Sequence, residues 1–321
     1  MLDLFVDIKD ELLAVEKELR KIVQARYQIL TETSIHLLNA GGKRLRPALT
    51  LYGAKFCNFD VEKVVPLAAT LELIHMASLV HDDVVDASMT RRGKPTVKAL
   101  WGNRVSTHIG SFLFAKSLIQ ISRYEDTPLI FAVLSDLSVQ MSQGEIIQIS
   151  SSFDINQSLR SYLYRIKCKT ALLIAASAQL GAVTCGADKS IFLPLRRYGY
   201  NIGMAFQITD DILDMVAEQR QLGKPIGGDL RQGIITLPVI YALQCYRDRR
   251  RLVELITKVE KSNEEVDEAL EIIKDSGAIE YSFDVAQKYI MKAKAELHRL
   301  PDIPIRQTLC MAADFVCSRK F

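Results

Sequence analysis

Two stretches of the chain gather acidic side chains at a spacing that suits cation chemistry. The first, LVHDDVVDASMTRRGKPT (Leu79–Thr96), carries Asp82, Asp83 and Asp86 directly after an apolar run. The second, FQITDDILDM, carries Asp210, Asp211 and Asp214 at the same spacing, again after apolar residues. On a helix, the first and last aspartate of each motif are i,i+4 neighbours on one face. Like charges so placed oppose each other by about 0.2–0.5 kcal/mol on an exposed helix, and by more when water is excluded. Carboxylate oxygens suit hard cations. Mg2+ in particular takes one or two carboxylates and completes its shell with water and substrate phosphates. One such motif alone reads more simply as a solvated acidic helix end. Two of them, each on an apolar helix, argue for opposed carboxylates around metal ions that a diphosphate bridges.

Basic residues fit the same kind of ligand. GGKRLRP places Lys43, Arg44 and Arg46 after a glycine pair. Such turns bring backbone N–H groups near anions, and arginine adds planar contacts to phosphate. Arg91 and Arg92 follow the first acidic motif within two helical turns or a loop. Either cluster alone is ordinary basic surface; beside a metal cavity they suggest a second anion pocket that binds diphosphate without metal. His75 lies seven residues before Asp82 and so on roughly the same helix face, which suggests a ligand contact where a core histidine is the plainer reading.

The elements that must position these groups read as helices. IKDELLAVEKELRKIV, FAVLSDLSVQMSQGEIIQI, SLRSYLYRIKCKTALLIAA, YGYNIGMAFQITDDILDMV, LPVIYALQCYRDRRRLVELI and AQKYIMKAKAELHRL all space apolar residues at helical period. Strand signals are almost absent. Breaks fall at Ala40–Pro47, Arg91–Thr96 and Gln221–Gly233, where glycine and proline cluster. No linker or repeat divides the chain, so one all-α domain over residues 1–321, ten or more helices around an apolar cavity, is the expectation. TALLIAASAQLGAVTCGA (Thr170–Ala187) carries no charge but is short for a bilayer and rich in Ala and Gly; it reads as a buried core helix.

Bulk composition is that of a soluble globular protein: 49% hydrophobic, 25% charged, and a net charge of +3 on 41 basic and 38 acidic residues. That balance gives no case for nucleic-acid binding. The six cysteines lack CxxC spacing and read as free thiols in a reducing compartment, and MLDLFVDIKDELL has no signal-like apolar core; a cytoplasmic location is expected.

Taken in order, GGKRLRP, the first DDxxD followed by RRG, Lys169–Thr170, Phe206–Gln207, the second DDxxD and GKPIGGD resemble the trans-isoprenyl diphosphate synthases. The match runs from about Ala40 to Leu243. The wording LELIHMASLVHDDVVD and GGDLRQG is most similar to the large catalytic subunits of two-component members that make heptaprenyl or hexaprenyl chains. The resemblance implies an all-α isoprenoid-synthase bundle and a prenyltransferase. It would join an allylic diphosphate, such as farnesyl diphosphate, to isopentenyl diphosphate head to tail. The implied product is an all-trans chain of about C30–C40, with heptaprenyl as the best guess and a quinone such as menaquinone as its destination. It implies Mg2+, about three ions once the allylic diphosphate is bound, held by Asp82, Asp86 and Asp210, with Asp83, Asp211 and Asp214 in support. Arg91, Lys169, Thr170 and Gln207 would touch the allylic substrate. Lys43, Arg46, His75 and Arg92 would bind isopentenyl diphosphate. Asp82, Asp86, Arg91, Lys169 and Asp210 would make up the catalytic set. A dimer is implied, of two copies or with a small regulatory subunit, as is peripheral membrane contact on product release.

In this family the residues four and five before the first DDxxD help set product length, and here they are the small Ser78 and Ala77. The expected passage is open well beyond a farnesyl chain. One departure stands out: many relatives carry lysine where this chain has Ile234, which leaves Lys224 as the candidate phosphate contact nearby. Three other readings compete. A class I terpene cyclase would lack GGKRLRP and the second DDxxD. A non-catalytic regulatory subunit would lose an acidic motif. A di-iron bundle wants two Glu-x-x-His pairs, and only Glu72–His75 fits.

Overall fold

In the computed structural model, which describes residues 2–216, 226–247 and 249–317, the chain is almost wholly helical, as expected. Its one sheet among the described residues is a two-residue antiparallel hairpin, β1 (Thr90–Arg91) with β2 (Lys94–Pro95). The described helices begin with α1 (Lys9–Ile22), α2 (Gln28–Asn39), α3 (Leu45–Ala54), α4 (Val61–Val85) and α5 (Val97–Ile121). They continue with α6 (Pro128–Ser150), α7 (Leu159–Ile166), a π turn over Lys167–Ala171, α8 (Leu172–Thr184) and α9 (Lys189–Val216). Further helices lie at Leu237–Cys245, Arg249–Thr257, Asn263–Asp275, Ala278–Leu297 and Pro304–Cys317. The stretch LPVIYALQCYRDRRRLVELI, which periodicity reads as one helix, is two: Tyr246 is extended (φ −76°, ψ 135°) and ends the first.

Contacts gather the chain into two units, each drawn from several segments. The first comprises Met1–Asp136, Leu173–Gly199 and Glu296–Met311; the second comprises Leu137–Leu172, Tyr200–Ala295 and Ala312–Phe321.

The first unit is built around α4. Asp60 starts this helix by accepting the Glu62 N–H at 3.0 Å. Apolar residues occur on every side of α4, and Leu67, Ala68, Ala69, Leu71 and Leu73 are wholly buried, which marks a central rather than a surface helix. α5, α3 and α1 pack against it. The uncharged run seen in the sequence is α8, buried from Leu173 to Val183. Its small residues have a steric reason. A side chain at Gly181 would run into the Thr50 carbonyl of α3, and one at Gly53 of α3 would run into the Ala178 carbonyl of α8. The two backbones are in contact, so neither position has room for a Cβ. Val61–Val85 and Leu159–Thr184 are long and apolar enough to cross a membrane, but 72% and 83% of their most apolar windows are buried inside the protein.

The second unit has its own core of Tyr162, Ile166, Met204, Ile208, Leu237, Val239, Leu252, Leu255, Val266 and Leu270. Each fully buried aliphatic side chain there contributes about 1.5–3 kcal/mol relative to exposure. Asn263–Asp275 opens with a capping box: the Ser262 hydroxyl accepts the Glu265 N–H, and the Glu265 carboxylate accepts the Ser262 N–H.

Candidate active site

α4 delivers the first acidic motif on its last turn. Asp82 and Asp83 are helical, and Asp86 is the C-cap, its N–H bonded to the Asp82 carbonyl at 2.8 Å. Carboxylates at the negative end of a helix dipole are poorly placed unless a cation joins them. One cation is supplied internally. Asp83 is 2% exposed, and its Oδ1 accepts from Arg91 Nε at 2.9 Å and Nη2 at 2.7 Å. Arg91 reaches it from the β1–β2 hairpin, not from a helical continuation. Asp82 and Asp86 remain partly exposed at the helix end.

The basic loop follows α2. Gly41 (φ 79°) and Arg44 (φ 48°) both take the left-handed conformation, which turns the chain from α2 into α3. The structure withdraws Arg44 from the anion ligands that the sequence offered. Its guanidinium lies on the Glu16 carboxylate, on Glu72 Oε1 at 3.0 Å and near the Leu38 carbonyl. Glu72 is buried on α4, so Arg44 neutralises a charge that the core could not otherwise hold. Lys43 is exposed, while Arg46 lies on the first turn of α3.

His75 brings these pieces into one neighbourhood. Burial pushes its imidazole well below the usual range, and the charges of Arg46, Arg92, Arg91 and Arg44 push it the same way. The ring is therefore neutral near pH 7, a hydrogen-bonding group among guanidiniums. Crowding also weakens the hold of Arg92 on its proton, through burial and the like charges of Arg91 and Arg44. Arg44, Arg46, Arg91 and Arg92 thus all lie near enough to His75 to act on its charge. Ala77 is buried on the same helix, and the Ser78 hydroxyl is turned onto the His75 carbonyl at 2.9 Å.

The second unit treats its acidic motif differently. Asp210, Asp211 and Asp214 lie on α9. Asp211 is buried and accepts from the Tyr162 hydroxyl at 2.7 Å and from Gln207 Nε2 at 2.8 Å. The Gln207 oxygen in turn accepts the Thr170 hydroxyl at 2.6 Å. Burial, with Asp229 nearby, pushes the Asp211 carboxyl up to about 7 against the pull of its two donors. Asp214 accepts the Asp229 N–H at 3.0 Å, and its carbonyl accepts the Gly227 N–H at 2.8 Å. Lys169, on the π turn, lies 2.9 Å from Glu145. Ile234 is buried, so an apolar side chain fits its place. Lys224 lies outside the described residues.

Sequence reasoning missed Tyr162, Glu145 and Asp229. Tyr162 precedes Asp211 by 49 residues, and no local spacing announces it. Among the described residues no group of three or more His, Cys, Asp or Glu side chains is gathered to hold a metal. Asp82 and Asp86, partly exposed at the end of α4, are carboxylate oxygen donors of the kind that Mg2+ takes together with substrate phosphates. All six cysteines are free.

Comparison with known proteins agrees with this chemistry. The chain is 45% identical over 314 residues to heptaprenyl diphosphate synthase component 2 of Bacillus subtilis (strain 168), covering 98% of this chain and 89% of that protein. It is 45% identical to the protein of the same name from Geobacillus stearothermophilus over 96% of this chain and 94% of that one. Among solved structures, a polyprenyl synthase from Caulobacter crescentus CB15, complexed with calcium and isoprenyl diphosphate, matches with a TM-score of 0.94 and 36% identity over 99% of this chain and 97% of the other. Heptaprenyl diphosphate synthase from Staphylococcus aureus matches with a TM-score of 0.92 and 35% identity over 98% and 99%. Residues 27–273 match the polyprenyl synthetase family as a whole, spanning both acidic motifs and the cationic loop, and the chain belongs to that family.

Proposed function

We propose that the protein extends an allylic diphosphate with isopentenyl diphosphate to an all-trans polyprenyl diphosphate of medium to long chain, with heptaprenyl as the favoured product. The observation that carries this is the pairing of two chemistries in one chain: partly exposed carboxylates of Asp82 and Asp86 at the end of α4, and arginines gathered around a buried His75. The 45% identity to two component 2 proteins supports the product length and a partner subunit. The calcium in the Caulobacter complex supports a divalent ion.

Asp82, Asp86 and Asp210 are the proposed ligands of Mg2+, about three ions in all. When bound, Mg2+ offsets the negative charge that develops on the departing diphosphate. Arg91 and Lys169 add positive charge at the allylic diphosphate, and Thr170 and Gln207 fix the position of the groups beside it. Lys43, Arg46, His75 and Arg92 hold the diphosphate of isopentenyl diphosphate, so that its alkene faces the allylic carbon. The allylic C–O bond breaks and its electron pair leaves with diphosphate. The alkene of the second substrate supplies the pair for the new C–C bond. The proton next to the resulting cation passes to the released diphosphate. No protein nucleophile is needed, and the apolar helices keep water from the cation.

The further proposals are a cytoplasmic enzyme, a dimer formed with a second copy or with a small regulatory subunit, membrane contact on product release, and a quinone side chain as the product's use. The test is product analysis after incubation with farnesyl and isopentenyl diphosphates and Mg2+, first with the chain alone and then with a partner subunit. Elongated all-trans chains support the reading; cyclised or absent product under both conditions sinks it. Ala77→Phe should shorten the chains, and an unchanged product would remove Ala77 from the passage.

A further inference from the structure

The β1–β2 hairpin is tied both to the acidic motif at the end of α4 and to the chain leaving α2. On one side, Arg91 binds Asp83. On the other, three links run from the hairpin to the end of α2 and the glycine pair. The Arg92 guanidinium donates to the Gly41 carbonyl, Lys94 Nζ donates to the Asn39 carbonyl at 2.5 Å, and His36 Nε2 donates to the Pro95 carbonyl at 2.9 Å. Asn39 and Gly41 stand where a helix leaves its last carbonyls without partners and where its dipole favours cations. The His36 ring is set by Trp101, edge to face at 5.3 Å. Asn39 is held from α1 as well, its Oδ1 accepting from Arg20 at 2.8 Å.

Two residues downstream of this anchorage the chain reaches Lys43, and then Arg46. The loop between has two left-handed residues, so its course follows from where its ends are fixed. Arg44 fixes the inner end on Glu16 and Glu72. The hairpin fixes the outer end. A side chain at Gly42 would meet the guanidiniums of Arg92 and Arg44, which shows how closely the loop is clasped.

We infer that Lys94 and His36 are positioning residues for the isopentenyl diphosphate pocket, holding the Gly41–Lys43 loop in register with the acidic motif through the hairpin. This rests on the proposed assignment of Lys43, Arg46, His75 and Arg92 to that substrate. Neither residue touches the diphosphate; each acts on groups that do, so its loss changes one substrate's affinity and spares the chemical step.

The experiment is steady-state kinetics on the active assembly, with each substrate varied in turn. Lys94→Met and His36→Phe are each expected to raise KM for isopentenyl diphosphate about tenfold. KM for the allylic substrate and kcat should stay within about twofold. Lys94→Arg and His36→Gln, which keep a donor at the carbonyl, should return KM toward the wild-type value. Two results overturn the inference: an unchanged KM for isopentenyl diphosphate in both donor-less variants, or a fall in kcat with both KM values altered that the conservative variants do not rescue. Arg46→Ala separates the two levels of argument. If it raises that KM and Lys94→Met does not, only the positioning role fails. If Arg46→Ala has no effect, the pocket assignment fails, and the positioning role with it.

Discussion

The two aspartate-rich motifs share a spacing and differ in how their middle carboxylate is kept in the protein interior. Asp83 is held by a full positive charge, the Arg91 guanidinium. Asp211 is held by neutral donors, the Tyr162 hydroxyl and the Gln207 amide, and keeps its proton up to about pH 7. The same three-aspartate spacing therefore yields an ion pair in one unit and a hydrogen-bonded, readily protonated acid in the other. Sequence spacing locates the three aspartates of each motif; the compensation of the buried one depends on what the fold brings to it.

The largest effect should come from what the motifs share. Asp82→Ala or Asp210→Ala is expected to lower kcat roughly a thousandfold with folding retained, measured by product formation at saturating substrates and Mg2+. Comparable loss at both positions supports one shared role; full activity in either variant would separate the motifs.

The next effect should distinguish them. Asp83→Asn leaves Arg91 without its carboxylate and should cost about 1–3 kcal/mol in urea unfolding. Asp211→Asn keeps an acceptor for Tyr162 and removes a buried charge, so at pH 8 its stability should lie within about 1 kcal/mol of wild type. The pH dependence sharpens this. With a carboxyl raised from 3.8 to about 7, the folded protein holds a proton that the unfolded chain releases above about pH 4. Stability from this group is complete below about pH 4, declines as pH rises toward 7, and is flat above. The gap between wild type and Asp211→Asn, measured in EDTA, should shrink over that interval. A gap independent of pH would mean that Asp211 is ionised throughout.

Smaller effects should follow along the hydrogen-bond chain. Tyr162→Phe removes a buried donor to Asp211 and should cost about 1–2 kcal/mol. Thr170→Val, at the far end beyond Gln207, should cost about 0.5–1 kcal/mol. A larger cost at Thr170 than at Tyr162 would reverse the order of dependence drawn here. Thermal unfolding of the two variants side by side decides it.

Much of this was legible in the residues. Period-3.6 patterning placed six helical stretches, those of α1, α6 and α9 among them, but gave no reading of α2, α3, α5 or Pro304–Cys317, and charge type with spacing picked out both acidic motifs and the basic loop. What escaped lay in partners remote along the chain. Arg44 stands two residues before Arg46 in the same motif, yet Glu16 and Glu72 claim it, and each lies 28 residues away. Tyr162 reaches Asp211 across 49 residues. The hairpin left no strand signal, because two-residue strands are too short to alternate. Tyr246 breaks a helix whose apolar period runs on past it. Lys94 and His36 gave no sequence signal because their partners are backbone carbonyls, which carry no residue identity.

The reciprocal contact between α3 and α8 has an evolutionary corollary. At Gly53 and Gly181 the obstacle to a larger residue is a peptide carbonyl, which cannot adopt another rotamer to make way. No neighbouring substitution can compensate, so a library randomised at both sites and selected for folded protein should return glycine twice. Random drift can rewrite the surrounding apolar side chains while these two sites stay locked.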